Sequence, residues 1–526
     1  MKPFQAPLED ILFTLNDVAG AGELPDYDAD LTAEIAGHFA SFAEAEIAPL
    51  DEPGDRKGCR LEGGRVLMPD GFDKLFRAFA EQGWQGLTAP EAYGGQGLDA
   101  TLLAVTSEIF TGANHALQMV TGLVPGAIRT LLAHGTEAQR AAHIPRLASG
   151  GMLATMCLTE PGAGSDLSRI RCRAEPAGDG WQLTGEKIFI SGGDQNLSER
   201  ILHLVLARTS DDGIRGLSLF LCPCTRRDGR RNGVSVTRIE EKMGLHASPT
   251  CQLAFDGAEA ELIGDEGQGL RAMFTMMNHA RADVALQGVA HAARATDIAR
   301  HYAAERVQGR GPDGAPVALE AHADVRRMLD RMDALALGGR ALAHLAVVAM
   351  ERGDAEDLVE ALTPIAKVHC TEAGIEAANL GVQVLGGYGY LAEYRIEQTY
   401  RDARITAIYE GANGIHARAL VTRLMPGRSG DALERFLEAE AGEAVEGVTA
   451  WKAARRDLLG RSGPTPAAHD FMALTAEVLL QCLWQRMLSA SERHPDPERI
   501  RRVGASAVAT GRERILFHAA MVRLAA

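Results

Sequence analysis

The chain has 526 residues, well beyond one ordinary domain, so two to four domains with separate cores are expected. Hydrophobic residues make up 46% and charged residues 24%, a globular composition that excludes bulk disorder. Against 54 Lys+Arg stand 70 Asp+Glu, and the formal charge of −16 disfavours nonspecific binding to nucleic acid or anionic membrane.

Met1-Lys2-Pro3-Phe4 runs into Pro7, Glu9 and Asp10 without an apolar stretch, so no secretory signal is expected. From Leu31 to about Gly150 apolar residues recur at helical spacing, as in Leu102, Val105 and Ile109, then Ile128, Leu131 and Leu132. Between Leu153 and Gly264 the texture changes to short strand-like runs: Ile188-Phe189-Ile190, Leu202 to Leu206, Leu217 to Leu221, Val234 to Ile239 and Cys251 to Phe255. Gly, Asp and Asn separate them, which predicts a small β barrel or sandwich. Helical periodicity returns at about Leu270 and continues through Ile298, Met328 to Val348 and Leu358 to Leu380, long helices suited to a bundle. A Gly- and Pro-rich loop from Gly309 to Pro316 interrupts them, and Pro426-Gly427-Arg428-Ser429-Gly430 ends the bundle. About a hundred residues follow, helical in composition, with one interruption at Gly460 to Pro466.

The expected fold class is mainly α with a central β domain. Its parts are an N-terminal helical domain at residues 1–152, a middle β domain at 153–265, a C-terminal helical bundle at 266–426 and a helical extension at 427–526. Ala334 to Met350 is the greasiest stretch, yet Gly338, Gly339, Arg340 and His344 interrupt it, and it reads as too short and polar to span a bilayer. A cytoplasmic location follows. The eight cysteines are dispersed as reduced thiols, and Cys222-Pro223-Cys224 lacks the second pair or His cluster of a metal site.

Three stretches carry candidate chemistry. In Thr159-Glu160-Pro161-Gly162-Ala163-Gly164-Ser165-Asp166 small residues let a cofactor approach the main chain, although for this segment alone a glycine turn ahead of a strand is the plainer reading. Gly387-Tyr388-Gly389-Tyr390-Leu391-Ala392 satisfies G-x-G-x-x-A, but a helical stretch precedes it where a dinucleotide fingerprint needs a strand. In Tyr409-Glu410-Gly411-Ala412-Asn413-Gly414 one carboxyl lies between an aromatic and small residues. Partial burial would raise its pKa toward that of a general base; a solvated loop residue is the plainer reading.

Taken together, from roughly Gly83 to Arg423, these stretches and their neighbours resemble the acyl-CoA dehydrogenase family of flavoproteins. The resemblance is carried by Ala89-Pro90-Glu91-Ala92-Tyr93-Gly94-Gly95, Thr159 to Asp166, Gly185-Glu186-Lys187-Ile188-Phe189-Ile190-Ser191-Gly192-Gly193, Lys242-Met243-Gly244, Glu305-Arg306, Gln383 to Gly389 and Tyr409-Glu410-Gly411. Their order matches the family fold: helical domain, β barrel or sandwich, four-helix bundle. Phe4-Gln5-Ala6-Pro7-Leu8, Gln308 to Arg310 and the helical tail resemble a longer bacterial subgroup, the enzymes similar to 3-methylmercaptopropionyl-CoA dehydrogenase.

The resemblance implies an acyl-CoA substrate and FAD as cofactor. Glu410 is then the base that removes the proton beside the thioester carbonyl, while flavin N5 accepts the hydride from the β carbon. The product is a trans-2-enoyl-CoA, and the backbone N–H of Glu410 with a flavin hydroxyl stabilises the enolate. Some relatives place the base just before the arginine matching Arg281; this chain has Ala280 there. Met156, Leu158, Thr159, Ser165, Phe189 and Ser191 correspond to residues lining the flavin ring. Arg306 and Gln308 correspond to a pyrophosphate contact reaching a neighbouring subunit's FAD, with Gln383 and Gly387 as its complement, which implies a homo-oligomer, with a dimer favoured. Gly309 stands where relatives carry an aromatic, and Ala412 and Gly414 where many carry a hydroxyl and an amide. Ser165, Arg281, Tyr409 and Gly411 are the expected substrate contacts, and electron-transfer flavoprotein is the expected partner.

An acyl-CoA oxidase and a flavin monooxygenase share this fold. So does a DNA-binding alkylation-response flavoprotein, which requires a basic tail. Arg486, Arg493, Arg499, Arg501, Arg502, Arg512 and Arg514 supply cations there, but Glu434, Glu438, Glu440, Glu443 and Glu446 precede them.

Overall fold

The computed structural model describes residues 2–226, 228–353 and 356–525. They form two compact units. One contains Ala45–Asp99 and Asn114–Ala280; the other contains the chain up to Glu44, Ala100–Ala113 and everything from Arg281 onward. The helix Ala100–Thr121 is broken at Asn114, which has extended backbone (φ −163°, ψ 89°).

The first unit begins with a small hairpin, β1 (Arg60–Glu62) and β2 (Arg65–Leu67), too short and exposed to announce itself in the sequence. The helices Phe72–Glu81, Val124–His134 and Glu137–Ala148 follow. The last opens with a capping box in which Thr136 and Gln139 each satisfy the other's backbone N–H. Seven strands then form one sheet: β3 (Met152–Cys157), β4 (Arg173–Ala177), β5 (Gly180–Ser191), β6 (Arg200–Arg208), β7 (Leu217–Pro223), β8 (Val234–Ile239) and β9 (Thr250–Ile263). The ring β4–β5–β9–β7–β6 closes on itself where Arg173 pairs with Arg208, while β3 joins β6 and β8 joins β9. Closure explains the burial of β6, in which every residue from Ile201 to Arg208 is enclosed, His203 included.

The second unit is helical. Its bundle uses the helix Gly269–Glu305 from Arg281 onward, Ala323–Arg352, Glu356–Leu385 and Ile396–Ala403. Gly288 and Gly374 let the first and third of these helices touch through their backbones. A Cβ at Gly288 would lie 2.2 Å from the carbonyl oxygen of Cys370, and one at Gly374 would lie 2.6 Å from that of Gly288. The expected loop 309–316 is instead the turn of a hairpin, β10 (Val307–Arg310) and β11 (Pro316–Ala318). All four residues of β10 are exposed, so no alternation marked it. Ala323–Arg352 is apolar and long enough to cross a membrane on length and composition, unlike the reading of its central stretch as too short and polar, but its apolar window is entirely buried in this unit.

The helices Arg428–Glu440, Val445–Leu459, Ala468–Ser489 and Pro497–Leu524 extend the bundle. Trp451, Phe471, Leu483 and Val503 share one core with Leu337, Ala341 and Leu345. Arg499 ties this extension to both the N-terminal helix Leu8–Phe13 and the bundle. It donates to Asp10 at 2.8 and 2.9 Å and to Asp333 at 3.0 and 3.2 Å, and His494 meets Asp10 at 3.0 Å. All seven arginines noted in the tail are paired with carboxylates, so their charges are already engaged.

Burial alone raises the pKa of Asp10, but the bonds from His494 and Arg499 outweigh it and hold the carboxyl well below the usual range. That stability is present above the unfolded pKa and is lost as pH falls toward the folded one. Arg499→Met strands Asp10 and should lower the unfolding free energy by about 3–5 kcal/mol in urea denaturation at pH 7. The deficit should shrink on acidification, as Asp10 takes up a proton in the variant.

Candidate active site

On the barrel unit, one end of β5 is turned outward by a bulge. Its register against β9 shifts between Lys187 and Ile190, and Phe189 lies at φ +59°, a left-handed conformation costing a non-glycine residue about 1–2 kcal/mol. The phenyl ring is consequently 60% exposed in a strand whose neighbours Lys187 and Ile190 are enclosed. Lys187 holds this arrangement from inside. Its ammonium donates to the Leu158 carbonyl and to Glu160 Oε1, both at 2.8 Å, and Glu160 also accepts the backbone N–H groups of Arg171 (2.7 Å) and Cys172 (3.0 Å). The N–H of Ile188 donates to the Thr159 carbonyl at 2.9 Å. These bonds lay Met156, Leu158 and Thr159 alongside Phe189 and Ser191. Ser165 lies on the following loop, exposed.

On the helical unit, Glu410 occupies a bend between the short turn Arg404–Ala407 and the helix Asn413–Ala419. Glu410 (φ +52°) and Gly411 (φ +95°) are both left-handed. Glycine is required at 411, because a Cβ there would lie 2.7 Å from His416 Nε2. Among the described residues, only Phe189, Leu245, Arg395 and Glu410 are non-glycines with such φ; two of them are expected site residues.

The residue is half-buried, and its Oε2 is shielded from solvent and accepts no hydrogen bond. Burial pushes the carboxyl up to about 7, against the pull of Arg281 and Lys367. Tyr409 donates to Gln287 Oε1, Gln287 donates to Asp283 Oδ2 at 2.8 Å, and Ser107 donates to Asp283 Oδ1. Arg281, expected near the nucleotide end of the ligand, faces Glu410 electrostatically.

A cavity of about 550 Å³ in the same unit is lined by Tyr302, Arg306, Gln308, Gly387, Tyr388 and others. Arg306 lies over the Tyr388 ring, 5.4 Å from its centroid. Gln383 is exposed near the end of its helix and does not line the cavity. Gly309 leaves room for His322: a Cβ there would lie 2.9 Å from the imidazole, whose Nε2 donates to the Gln308 carbonyl at 2.7 Å. The ring of His322 thus packs at the place where an aromatic was missing.

The chain matches family profiles described as the acyl-CoA dehydrogenase N-terminal domain (residues 31–151), middle domain (155–258) and C-terminal domain (267–425). It is 40% identical over 502 residues to the 3-methylmercaptopropionyl-CoA dehydrogenase of Ruegeria pomeroyi, covering 90% of this chain and 85% of that protein. A solved chain of the electron transferring flavoprotein of Acidaminococcus fermentans superposes with a TM-score of 0.67 at 28% identity, covering 76% of this chain and all of that one. ACDH-11 of Caenorhabditis elegans, solved with C11-CoA, shares the fold at a TM-score of 0.81 and 22% identity, covering 95% of this chain and 89% of its own.

Fold and relatives define a flavoprotein oxidoreductase acting on CH–CH bonds of acyl-CoA thioesters. The chain belongs to the acyl-CoA dehydrogenase family, and FAD is its cofactor. Its own residues fit that group. The outward Phe189 ring offers an apolar face, and a Cβ at Gly386 or Gly387 would meet nothing within 4 Å, so the backbone beside cationic Arg306 is open to an anion.

Sequence reasoning gave no role to the groups that hold these parts: Lys187 with Glu160, Lys367, His416, and the Ser107–Asp283–Gln287 chain behind Tyr409. The available signal was a lone lysine at the edge of one apolar run and within another, Lys187 directly before Ile188-Phe189-Ile190 and Lys367 within Leu362 to Cys370. Lys187→Met, which strands buried Glu160, should lower the unfolding free energy by about 3–5 kcal/mol and reduce retained flavin, read by urea denaturation and the 450-nm absorbance. Because the folded state raises the Glu410 pKa, its stabilising proton is fully bound below the unfolded value and is lost as pH rises through about 7. Glu410→Gln should therefore gain stability over the parent by up to roughly 3 kcal/mol at pH 8.5, a gap that closes near pH 4.5, in paired thermal melts.

Proposed function

We propose that the chain catalyses α,β-dehydrogenation of an acyl-CoA to a trans-2-enoyl-CoA, with Glu410 as the base. The observation that carries this is the Glu410 carboxyl: shielded, without a hydrogen-bond donor on Oε2, and held in a strained left-handed turn beside two cations. A carboxyl with its pKa near the working pH is matched to taking a proton, and in its anionic form it is poorly solvated and reactive. A thioester α C–H is still a weak acid. The N–H of Glu410 is proposed to accept the developing charge by donating to the thioester oxygen, with Tyr409 and Gly411 shaping the pocket and excluding water. Arg281, whose charge faces Glu410, is assigned to the reacting end of the substrate, and Ser165 to its pantetheine arm.

When bound, FAD supplies the hydride acceptor for the β hydrogen. Met156, Leu158, Thr159, Ser165, Phe189 and Ser191 are proposed to hold its ring. Arg306, Gln308, Gln383 and Gly387 are proposed to hold a pyrophosphate, in a homodimer with crossed contacts. Electrons are proposed to pass to electron-transfer flavoprotein, a reading supported by likeness to the Acidaminococcus chain.

The test is anaerobic titration of the yellow holoenzyme with butyryl-, octanoyl-, isobutyryl-, phenylpropionyl- and 3-methylmercaptopropionyl-CoA, the last chosen for the Ruegeria relative. One class should bleach the flavin band, and Glu410→Gln should slow bleaching about 10²–10⁴-fold. Because the base must be unprotonated, the bleaching rate should rise with pH through about 7. Unchanged bleaching in Glu410→Gln overturns the assignment, and rapid peroxide formation without added acceptor indicates an oxidase.

A further inference from the structure

Lys367 is completely enclosed in the helix Glu356–Leu385, among core residues Leu362, Ile365, Ala366 and Cys370. An ammonium there is costly unless its charge and donors are used. It donates to the Gly411 carbonyl at 2.9 Å and to Asn413 Oδ1 at 2.8 Å. Asn413 is fixed in turn, donating to Thr371 Oγ1 at 3.1 Å and to Glu372 Oε1 at 2.7 Å. The preceding carbonyl, that of Glu410, accepts from His416 Nε2 at 3.1 Å. Both left-handed residues therefore have their carbonyls held by buried side chains. Neither can relax toward right-handed geometry without breaking such a bond.

We propose that Lys367 is a positioning residue for Glu410, an ammonium that holds the Glu410–Gly411 turn through two hydrogen bonds and supplies countercharge to the facing carboxylate. The proposal deepens, and rests on, the reading of Glu410 as the base. The charged and titratable groups around Glu410 are few. Helix Gly269–Glu305 contributes Arg281 and Asp283, helix Glu356–Leu385 contributes Lys367 and Glu372, and helix Asn413–Ala419 contributes His416. Burial pushes His416 down to about 4 and keeps the Tyr409 phenol protonated, so both are neutral at pH 7. Among the described residues, Arg281 and Lys367 are the two cations that act on the Glu410 carboxyl. Lys367 combines its charge with a grip on the turn. Burial lowers it to about 8, against the pull of Glu410 and Glu372, so it is mainly charged at pH 7.

The experiment compares holoenzymes of the parent, Lys367→Met, Lys367→Gln, Lys367→Arg and Glu410→Gln. The first readout needs no substrate: an infrared pH titration of the Glu410 carboxyl band, identified by its loss in Glu410→Gln. The midpoint should lie near 7 in the parent. It should rise by at least about one unit in Lys367→Met and Lys367→Gln, and stay within about half a unit in Lys367→Arg. Lys367→Gln keeps a donor, so it should retain more thermal stability than Lys367→Met. The second readout is the pH profile of flavin bleaching by the fastest acyl-CoA of the panel, which should follow the same midpoints. At pH 7 the Met variant should be about tenfold slower, recovering at pH 9.

An unshifted carboxyl midpoint in Lys367→Met, or a rate loss equal at all pH values, overturns the proposal. Should the Met variant fail to retain flavin, the Gln and Arg variants decide by the same criterion. A shifted midpoint with normal bleaching in Glu410→Gln leaves Lys367 as the partner of that carboxyl and removes Glu410 as the base.

Discussion

The helical unit is organised around one uncomfortable group, the shielded carboxyl of Glu410 in a left-handed turn. An anion there demands cations at close range, and a left-handed turn demands that its carbonyls be occupied. The cations come from two helices whose backbones touch, and His416 of the helix Asn413–Ala419 joins Lys367 in holding the carbonyls. Arg281 and Lys367 each lie about two turns before the glycines Gly288 and Gly374, which form that contact. Any side chain at either glycine would push the helices apart, and with them the two cations. The close packing and the electrostatics of the site are therefore one constraint, met by two residues that carry no functional group.

The extension obeys a similar logic on a larger scale. Arg340 is enclosed and bonded to Glu108 at 2.7 and 2.9 Å, while Arg499 bridges Asp10 and Asp333. Pairs of this kind add little net stability over apolar packing, but they tolerate few alternatives, so they specify which segments meet. The N-terminal helix Leu8–Phe13 and the C-terminal helix Pro497–Leu524 meet through Asp10 and Arg499. That junction explains why a distinctive opening segment and a long tail occur together in one chain. The seven arginines Arg486, Arg493, Arg499, Arg501, Arg502, Arg512 and Arg514 are likewise each paired with a carboxylate of their own unit.

The order of helical, β and helical regions was legible from periodicity, because long helices and short strands differ in period whatever their partners. Closure of the barrel was not, since β4 meets β6 at a single residue pair with no local signature. The hairpins β1–β2 and β10–β11 are short and mostly exposed, with Val66 alone among their residues buried, so no alternation revealed them. Glu410 and Phe189 were singled out because of the motifs they sit in, whereas Lys187 and Lys367 were given no role because a lysine ordinarily signals solvent. Position within or at the edge of an apolar run is the only local trace of such a residue, and it reads just as well as an interruption. That Arg281 faces Glu410 could not be read from sequence, since helical spacing fixes a face and not what lies opposite it.

Lys187 and Lys367 turn out to do the same job on different folds. Each is wholly enclosed, each donates to one main-chain carbonyl and one side-chain oxygen, and each lies close to a left-handed non-glycine residue, Phe189 or Glu410. Backbone strain of 1–3 kcal/mol survives only where the surroundings over-determine it. An apolar side chain could fill either space, but it would strand the oxygens that the ammonium serves and could not hold a carbonyl. A short charged donor on a long stem can, because its four methylenes pack in the core while its ammonium reaches the loop above. The strained loop is thus held from the interior, and its outer side is left unencumbered.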